Sequence, residues 1–124
     1  MKRLFVVLLF LACPISAVAM TAADVVITTM VTERMPVDVV EVYPAQQGTL
    51  YCFSRIEGAT DETSVDHVWL YQGQEMARVT LPVRSAKWRT YSSKKIVPEW
   101  KGEWEVRVVD PTGTELTTVR FLVQ

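Results

Sequence analysis

Between Arg84 and Lys101 the chain places six basic side chains, Arg84, Lys87, Arg89, Lys94, Lys95 and Lys101, against a single acidic one, Glu99. Trp88, Tyr91 and Trp100 are interleaved with them. Cationic groups hold anions, and planar aromatic rings stack on sugar faces or other flat groups. Arginine is the better anion ligand, because its planar fork meets a carboxylate or phosphate with two parallel hydrogen bonds. On an extended backbone Lys87, Arg89 and Tyr91 share one face, and Trp88 and Thr90 the other. Trp88 then anchors inward while Arg89 and Tyr91 point to solvent. Lys94 and Lys95 fall in the connection that follows, where function commonly resides. Lys87, Arg89, Tyr91, Lys94 and Lys95 are the expected ligand-binding residues. The plainer reading of the same stretch makes Trp88 and Trp100 core and the lysines a solvated face.

Other chemistries find less support. His67 is the only histidine, and beside Trp69 a hydrogen-bonded structural role outweighs a metal-binding one. A soft copper site would need His67, Cys52 and Met76 to meet, and zinc would want a cluster of cysteines and histidines. Ser92 and Ser93 next to Lys94 and Lys95 would form a serine–lysine couple only if a lysine were buried with a lowered pKa. The pairs Asp61–Glu62 and Glu103–Glu105 fit a loop and the outward side of a strand better than a glycosidase dyad. No catalytic residue, metal or cofactor is expected. The formal net charge of −1 lacks the basic excess of nucleic-acid binders, so no nucleic-acid partner is expected.

The first residues read as an export signal rather than as fold. Met1-Lys2-Arg3 is a positive start, Leu4 to Ala12 an apolar run, Pro14 a break, and Ala17-Val18-Ala19 a cleavage site. The run is shorter than the about 20 residues that span a bilayer. Residues 1–19 are therefore expected to be removed, leaving 20–124 as one domain with a net charge of −3. Phe10-Leu11-Ala12-Cys13 is a weak lipobox, and a lipidated Cys13 is the alternative. Membrane contact is expected only in that case. Without Cys13, Cys52 is alone, no internal disulfide forms, and burial as a small hydrophobe is the expected fate of the thiol.

The rest of the chain shows runs of β-branched and aromatic residues between Gly, Pro, Asp and Ser clusters. Strands are expected over 25–32, 37–42, 49–56, 65–71, 75–83, 87–92, 104–110 and 115–123. Glu33-Arg34-Met35-Pro36 ends the first. Gln72-Gly73-Gln74 and Asp110-Pro111-Thr112-Gly113 are turns. In 49–56 the face Leu50, Cys52, Ile56 and the face Tyr51, Phe53 are both apolar, so either can be the inner one. Short strands at this spacing predict an all-β fold: a single immunoglobulin-like antiparallel β-sandwich of about seven strands, with Trp69, Trp104, Val106, Val108 and Phe121 inside.

Several spaced motifs agree with one family. Leu50-Tyr51-Cys52-Phe53, His67-x-Trp69-x-Tyr71, Trp88-Arg89-Thr90-x-Ser92-Ser93-Lys94 and Trp100-x-Gly102-x-Trp104-x-Val106-x-Val108, with Val37-Asp38 after Pro36, resemble the bacterial domain of unknown function 2914. The resemblance implies a compact β domain in an envelope-associated protein and implies no activity. The expected function is a non-catalytic envelope module, periplasmic or extracellular, that binds an anionic glycan or acidic partner through residues 84–101. The alternative is an interaction domain that pairs with another envelope protein through a sheet edge or an exposed Tyr51/Phe53 face.

Overall fold

The computed structural model describes residues 19–124, and among them there are strands and connections but no helix. The leader and Cys13 lie outside the described residues. The strands are β1 (Thr21–Thr28), β2 (Val31–Thr32), β3 (Met35–Pro36), β4 (Val42–Tyr43), β5 (Gly48–Glu57), β6 (Thr63–Tyr71), β7 (Gln74–Val83), β8 (Lys87–Ile96), β9 (Gly102–Val109) and β10 (Glu115–Val123). A three-stranded sheet, β1-β5-β8, packs on a five-stranded sheet, β4-β10-β9-β6-β7, and β2-β3 form a separate ribbon. This is the immunoglobulin order, with A, B and E in one layer and G, F, C and C′ in the other.

Four details depart from expectation. The strand expected over 37–42 is irregular up to Glu41, and only Val42–Tyr43 pairs as a strand, because Asp38 turns back to bond Thr28 and Thr29. The first strand runs from Thr21 to Thr28, and Glu33-Arg34 does not end it but forms the tip of the β2–β3 ribbon. Glu33 and Arg34 both take positive φ, 51° and 61°, the conformation a two-residue hairpin turn demands. The sandwich is not wholly antiparallel: β4 runs parallel to β10, pairing Val42 with Leu122 and Tyr43 with Val123. Finally, β8 continues to Ile96, so Lys94 and Lys95 belong to a strand and not to a connection. Its alternation carries through Ser92 and Ile96, both buried, because Ser92 has polar partners inside.

The choice of face on β5 resolves clearly. Leu50, Cys52, Ser54 and Ile56 are buried between the sheets. Trp69, Trp104, Val106, Val108 and Phe121 are buried as expected. Trp104 is the centre of the aromatic cluster, stacked on Phe121 at 5.8 Å between centroids and 4.9 Å from Tyr71. Its Nε1 donates to the carbonyl of Trp100 at 3.1 Å. Immunoglobulin domains place a tyrosine near the start of strand F that bonds back to upstream backbone, and here an indole makes the equivalent bond. Cys52 lies on strand B, the origin of their inter-sheet disulfide. The facing strand β9 presents Trp104, Val106 and Val108 instead of a second cysteine, and burial pushes the Cys52 thiol pKa up.

A polar layer crosses this core. His67 of β6 bonds Ser54 of β5 through Nε2 at 2.9 Å and Ser92 of β8 through Nδ1 at 2.7 Å. Trp69 Nε1 donates to the same Ser92 Oγ at 3.0 Å. One apolar cluster, around Trp69, Trp104 and Leu50, lies to one side, and a second, around Ile56, Val65 and Val83, to the other. The layer ties the two sheets together with hydrogen bonds in the middle of the interface, and Thr117 Oγ1 of β10 adds one at its end, donating to the carbonyl of Ala22 in β1 at 3.1 Å. His67 is fully buried, and desolvation pushes its pKa down to about 4, against a smaller upward pull from Asp66. A neutral imidazole therefore fills this place at ordinary pH.

Candidate functional site: a cationic outer face

Alternation on β8 sends Lys87, Arg89, Tyr91, Ser93 and Lys95 to the outer face of the three-stranded sheet. The same face of β5 carries Tyr51, Phe53, Arg55 and Glu57, in register as Tyr51↔Ser93, Phe53↔Tyr91, Arg55↔Arg89 and Glu57↔Lys87. Four of the five expected ligand residues thus share one surface. Lys94 does not. It has the inward parity of Ser92 and Ile96, lies partly buried, and places its ammonium 4.6 Å from the Trp100 ring centroid. It is a structural cation–π partner at the sandwich margin.

Two residues outside the expected set join this surface. Arg55 comes with β5 by strand parity. Arg34 comes from the ribbon tip and shares two depressions with Arg89. Three depressions meet at Arg89. The largest, about 710 Å³, is bounded also by Arg34, Arg55, Glu57, Ser85, Lys87 and Trp88, with Glu57 turned to Arg55. The second, about 250 Å³, lies among Arg34, Phe53, Trp88 and Tyr91. The third, about 240 Å³, is lined by Val26, Met35, Pro36, Val39 and Phe53 together with the Arg55–Asp24 ion pair.

The ion pairs distinguish the two faces of the sandwich. On the outer side of the five-stranded sheet every arginine is matched: Arg78 with Asp66 at 3.0 Å and Glu75 at 2.8 Å, Arg107 with Glu105 at 2.7 Å, and Arg120 with Glu105 at 3.7 Å. Arg78 and Arg107 flank Val68 in register, and their stems shield a valine that is buried although it points outward. On the cationic face only Arg55 is paired, with Asp24 at 2.8 Å and Glu57 at 3.2 Å. Its Nε lies off the hydrogen-bonding direction to Glu57 and is buried without a partner. Among the described residues, Arg34, Lys87, Arg89 and Lys95 make no ion pair.

The alternative surface changes in outline. Phe53 is buried and Tyr51 partly so, with Tyr51 edge-on to Tyr91 at 6.1 Å. The Tyr51/Phe53 face is therefore not an exposed aromatic patch. Val26 and Tyr91 flank Phe53 in register, and Met35, Pro36 and Val39 of the ribbon segment border it. Asp61 and Glu62 are exposed in the β5–β6 loop, and Glu105 is committed to two arginines. Both ring nitrogens of His67 are taken by serine hydroxyls, which leaves no lone pair aimed at Cys52 or a metal.

Fold and surface together define a small immunoglobulin-like β domain with one outer sheet face rich in unpaired cations. The chain belongs to the family described as Protein of unknown function (DUF2914), which matches residues 62–123, from the start of β6 to the end of β10. No curated protein matches the chain. Among solved structures it is similar to a β-glucosidase from Listeria innocua in complex with glucose, at 7% identity and a TM-score of 0.48 over 85% of this chain. The same enzyme without glucose gives 8% identity and 0.46 over 85%. The chain spans 16% of the length of each.

Proposed function

We propose that the domain is a non-catalytic binding module of the cell envelope, exported by removal of residues 1–19, that holds an anionic glycan or acidic partner on the outer face of β1-β5-β8. Arg89 is the central ligand. The observation that carries this reading is the convergence of three depressions on an arginine with no carboxylate partner, beside a second arginine at the same rung of the ladder. Like charges directly opposite each other cost stability, and an anion bound between them would remove that cost. Arg34 supports the same reading. It reaches the face from the ribbon tip and lines two of the depressions that meet at Arg89. Lys87, Tyr91 and Lys95 extend the row.

The test is capture on immobilised polygalacturonate, with neutral dextran as control. The wild-type protein is retained by the acidic polymer at low salt and released as salt rises. Arg89→Ala and Arg34→Gly each weaken retention, whereas Lys94→Ala does not. Equal retention of all three variants and wild type would remove the cationic face from consideration. Mass spectrometry of the exported protein should place its N-terminus at Met20; a chain starting at a lipidated Cys13 would overturn the processing part.

A further inference from the structure

The ribbon that brings Arg34 to the cationic face also carries the main exposed apolar surface of the described residues. Met30 is 55% exposed, Met35 49%, Val37 54% and Val39 65%. In β2–β3, Val31 pairs with Pro36 and Thr32 with Met35. The amide of Val37 donates to the carbonyl of Met30 at 3.1 Å and extends the ladder by one rung. Alternation then puts Met30, Met35 and Val37 on one side of the ribbon and the partly buried Val31 and Pro36 on the other. The root of the ribbon is fixed. Asp38 Oδ1 accepts from Thr28 Oγ1 at 2.6 Å and from Thr29 N at 2.8 Å, and Oδ2 accepts from Thr29 Oγ1 at 2.6 Å. The apolar side is thus a formed surface held against the sandwich.

We infer that this apolar ribbon and the adjoining cations of Arg34, Lys87, Arg89 and Lys95 together form a docking surface for an anionic lipid bilayer. The inference rests on the anion-binding reading of the same face and names its occupant. A soluble polyanion could use the cations but would leave four apolar side chains in water. A bilayer surface uses both: headgroup phosphates meet the arginines while methionine and valine side chains enter the boundary between headgroups and acyl chains. Val39 and Met35 border the same depression as Arg89, so the two kinds of contact are contiguous. Arginine stems can lie along the apolar boundary with their charged ends among the phosphates. This contact needs no lipid on Cys13.

The experiment is co-sedimentation with vesicles of mixed phosphatidylglycerol and phosphatidylcholine, with phosphatidylcholine alone as control, run beside capture on polygalacturonate. All variants carry the same N-terminus, so only the ribbon and the cations differ between them. The wild-type protein binds the anionic vesicles and not the neutral ones. The triple variant Met30→Ser, Met35→Ser, Val37→Ser loses about tenfold or more in vesicle affinity and keeps its capture on polygalacturonate. Arg89→Ala loses about fivefold on vesicles and weakens both. These side chains are exposed, so the thermal midpoint of the triple variant should match the wild type. If the triple variant does not fold, Val39→Ser alone carries the test. Retention on polygalacturonate with no vesicle binding, or vesicle binding indifferent to the ribbon substitutions, overturns the lipid inference and leaves the anion-binding reading standing. Failure of both captures overturns both.

Discussion

Arg55 and Arg89 face each other directly across β5 and β8. Asp24 and Glu57 attend to Arg55, and nothing among the described residues attends to Arg89. Arg89→Ala should therefore leave folding stability unchanged or raise it by about 0.2–1 kcal/mol. Urea denaturation at low and high salt checks this. Added salt should stabilise the wild type more than the variant, and a loss of more than about 1 kcal/mol would show that Arg89 is scaffold.

Lys94 and Lys95 are neighbours in sequence with opposite duties. Lys94→Ala should cost about 0.5–1 kcal/mol through the lost contact with Trp100 and leave anion capture intact. Lys95→Ala should do the reverse. Parallel melting and capture measurements separate them.

Stability should fall in acid in a window set by His67. Its folded pKa of about 4 lies below the ordinary value of 6.5. Between these values the unfolded chain binds a proton that the folded one does not, so unfolding is favoured as pH drops. The loss begins near pH 6.5, reaches about 3 kcal/mol near pH 4 and then levels off. Asp38 and Asp110 act in a lower window. Thr28 and Thr29 hold the Asp38 carboxyl below its usual range, and Thr112 chiefly does so for Asp110. Their contributions are present above the ordinary carboxyl pKa and are lost as pH falls through the depressed one. His67→Asn should flatten the upper window only, at the expense of overall stability.

Trp104→Ala should cost about 3–5 kcal/mol, since it empties the middle of the aromatic cluster. Trp104→Phe keeps most of the packing but leaves the Trp100 carbonyl without its donor, and should cost about 1 kcal/mol for that bond in addition to the smaller ring. Denaturant midpoints with unchanged m-values would confirm that both act on the folded state.

Cys52 should resist alkylation in the native protein and react at a rate that follows global unfolding, because the thiol is buried with its pKa pushed up. Rapid labelling under native conditions would place it at a surface and contradict the core described above.

The sandwich was legible because alternation on β9 and β10, and the turns at Gln72-Gly73 and Asp110 to Gly113, each reflect local backbone chemistry. Asp110 Oδ1 accepts from Thr112 N and Thr114 N at 2.9 Å, the kind of short-range closure that composition reveals. The parallel β4–β10 pairing was not legible, since two residues carry no periodicity. The length of β8 was misread because Lys94-Lys95 looks like loop, and only the partners of Ser92 and the ring of Trp100 explain why the strand continues. Three of the five cations of the face, Lys87, Arg89 and Lys95, could be found from β8 alone. Arg55 was within reach, as it shares parity with Tyr51 and Phe53, but Arg34 was not, because its place depends on where the ribbon folds. The hydroxyls of Ser54 and Ser92 were missed for the same reason: nothing in their own segments says that a histidine from another sheet will meet them.

The His67 layer has one more consequence, for alignment. Sliding either sheet by two residues keeps every inward side chain inward, and apolar residues are largely interchangeable in that exercise. Cys52 or Ile56 would then arrive where Ser54 stands, and Lys94 or Thr90 where Ser92 stands. A slip that puts Ile56 there strands a buried ring nitrogen, at about 1–3 kcal/mol, and one that puts Cys52 there offers only a weak thiol partner and brings Lys94 to the place of Ser92. The hydroxyls at Ser54 and Ser92 thus act as an index mark, selecting one setting from a set that the hydrophobic pattern alone would leave nearly equal.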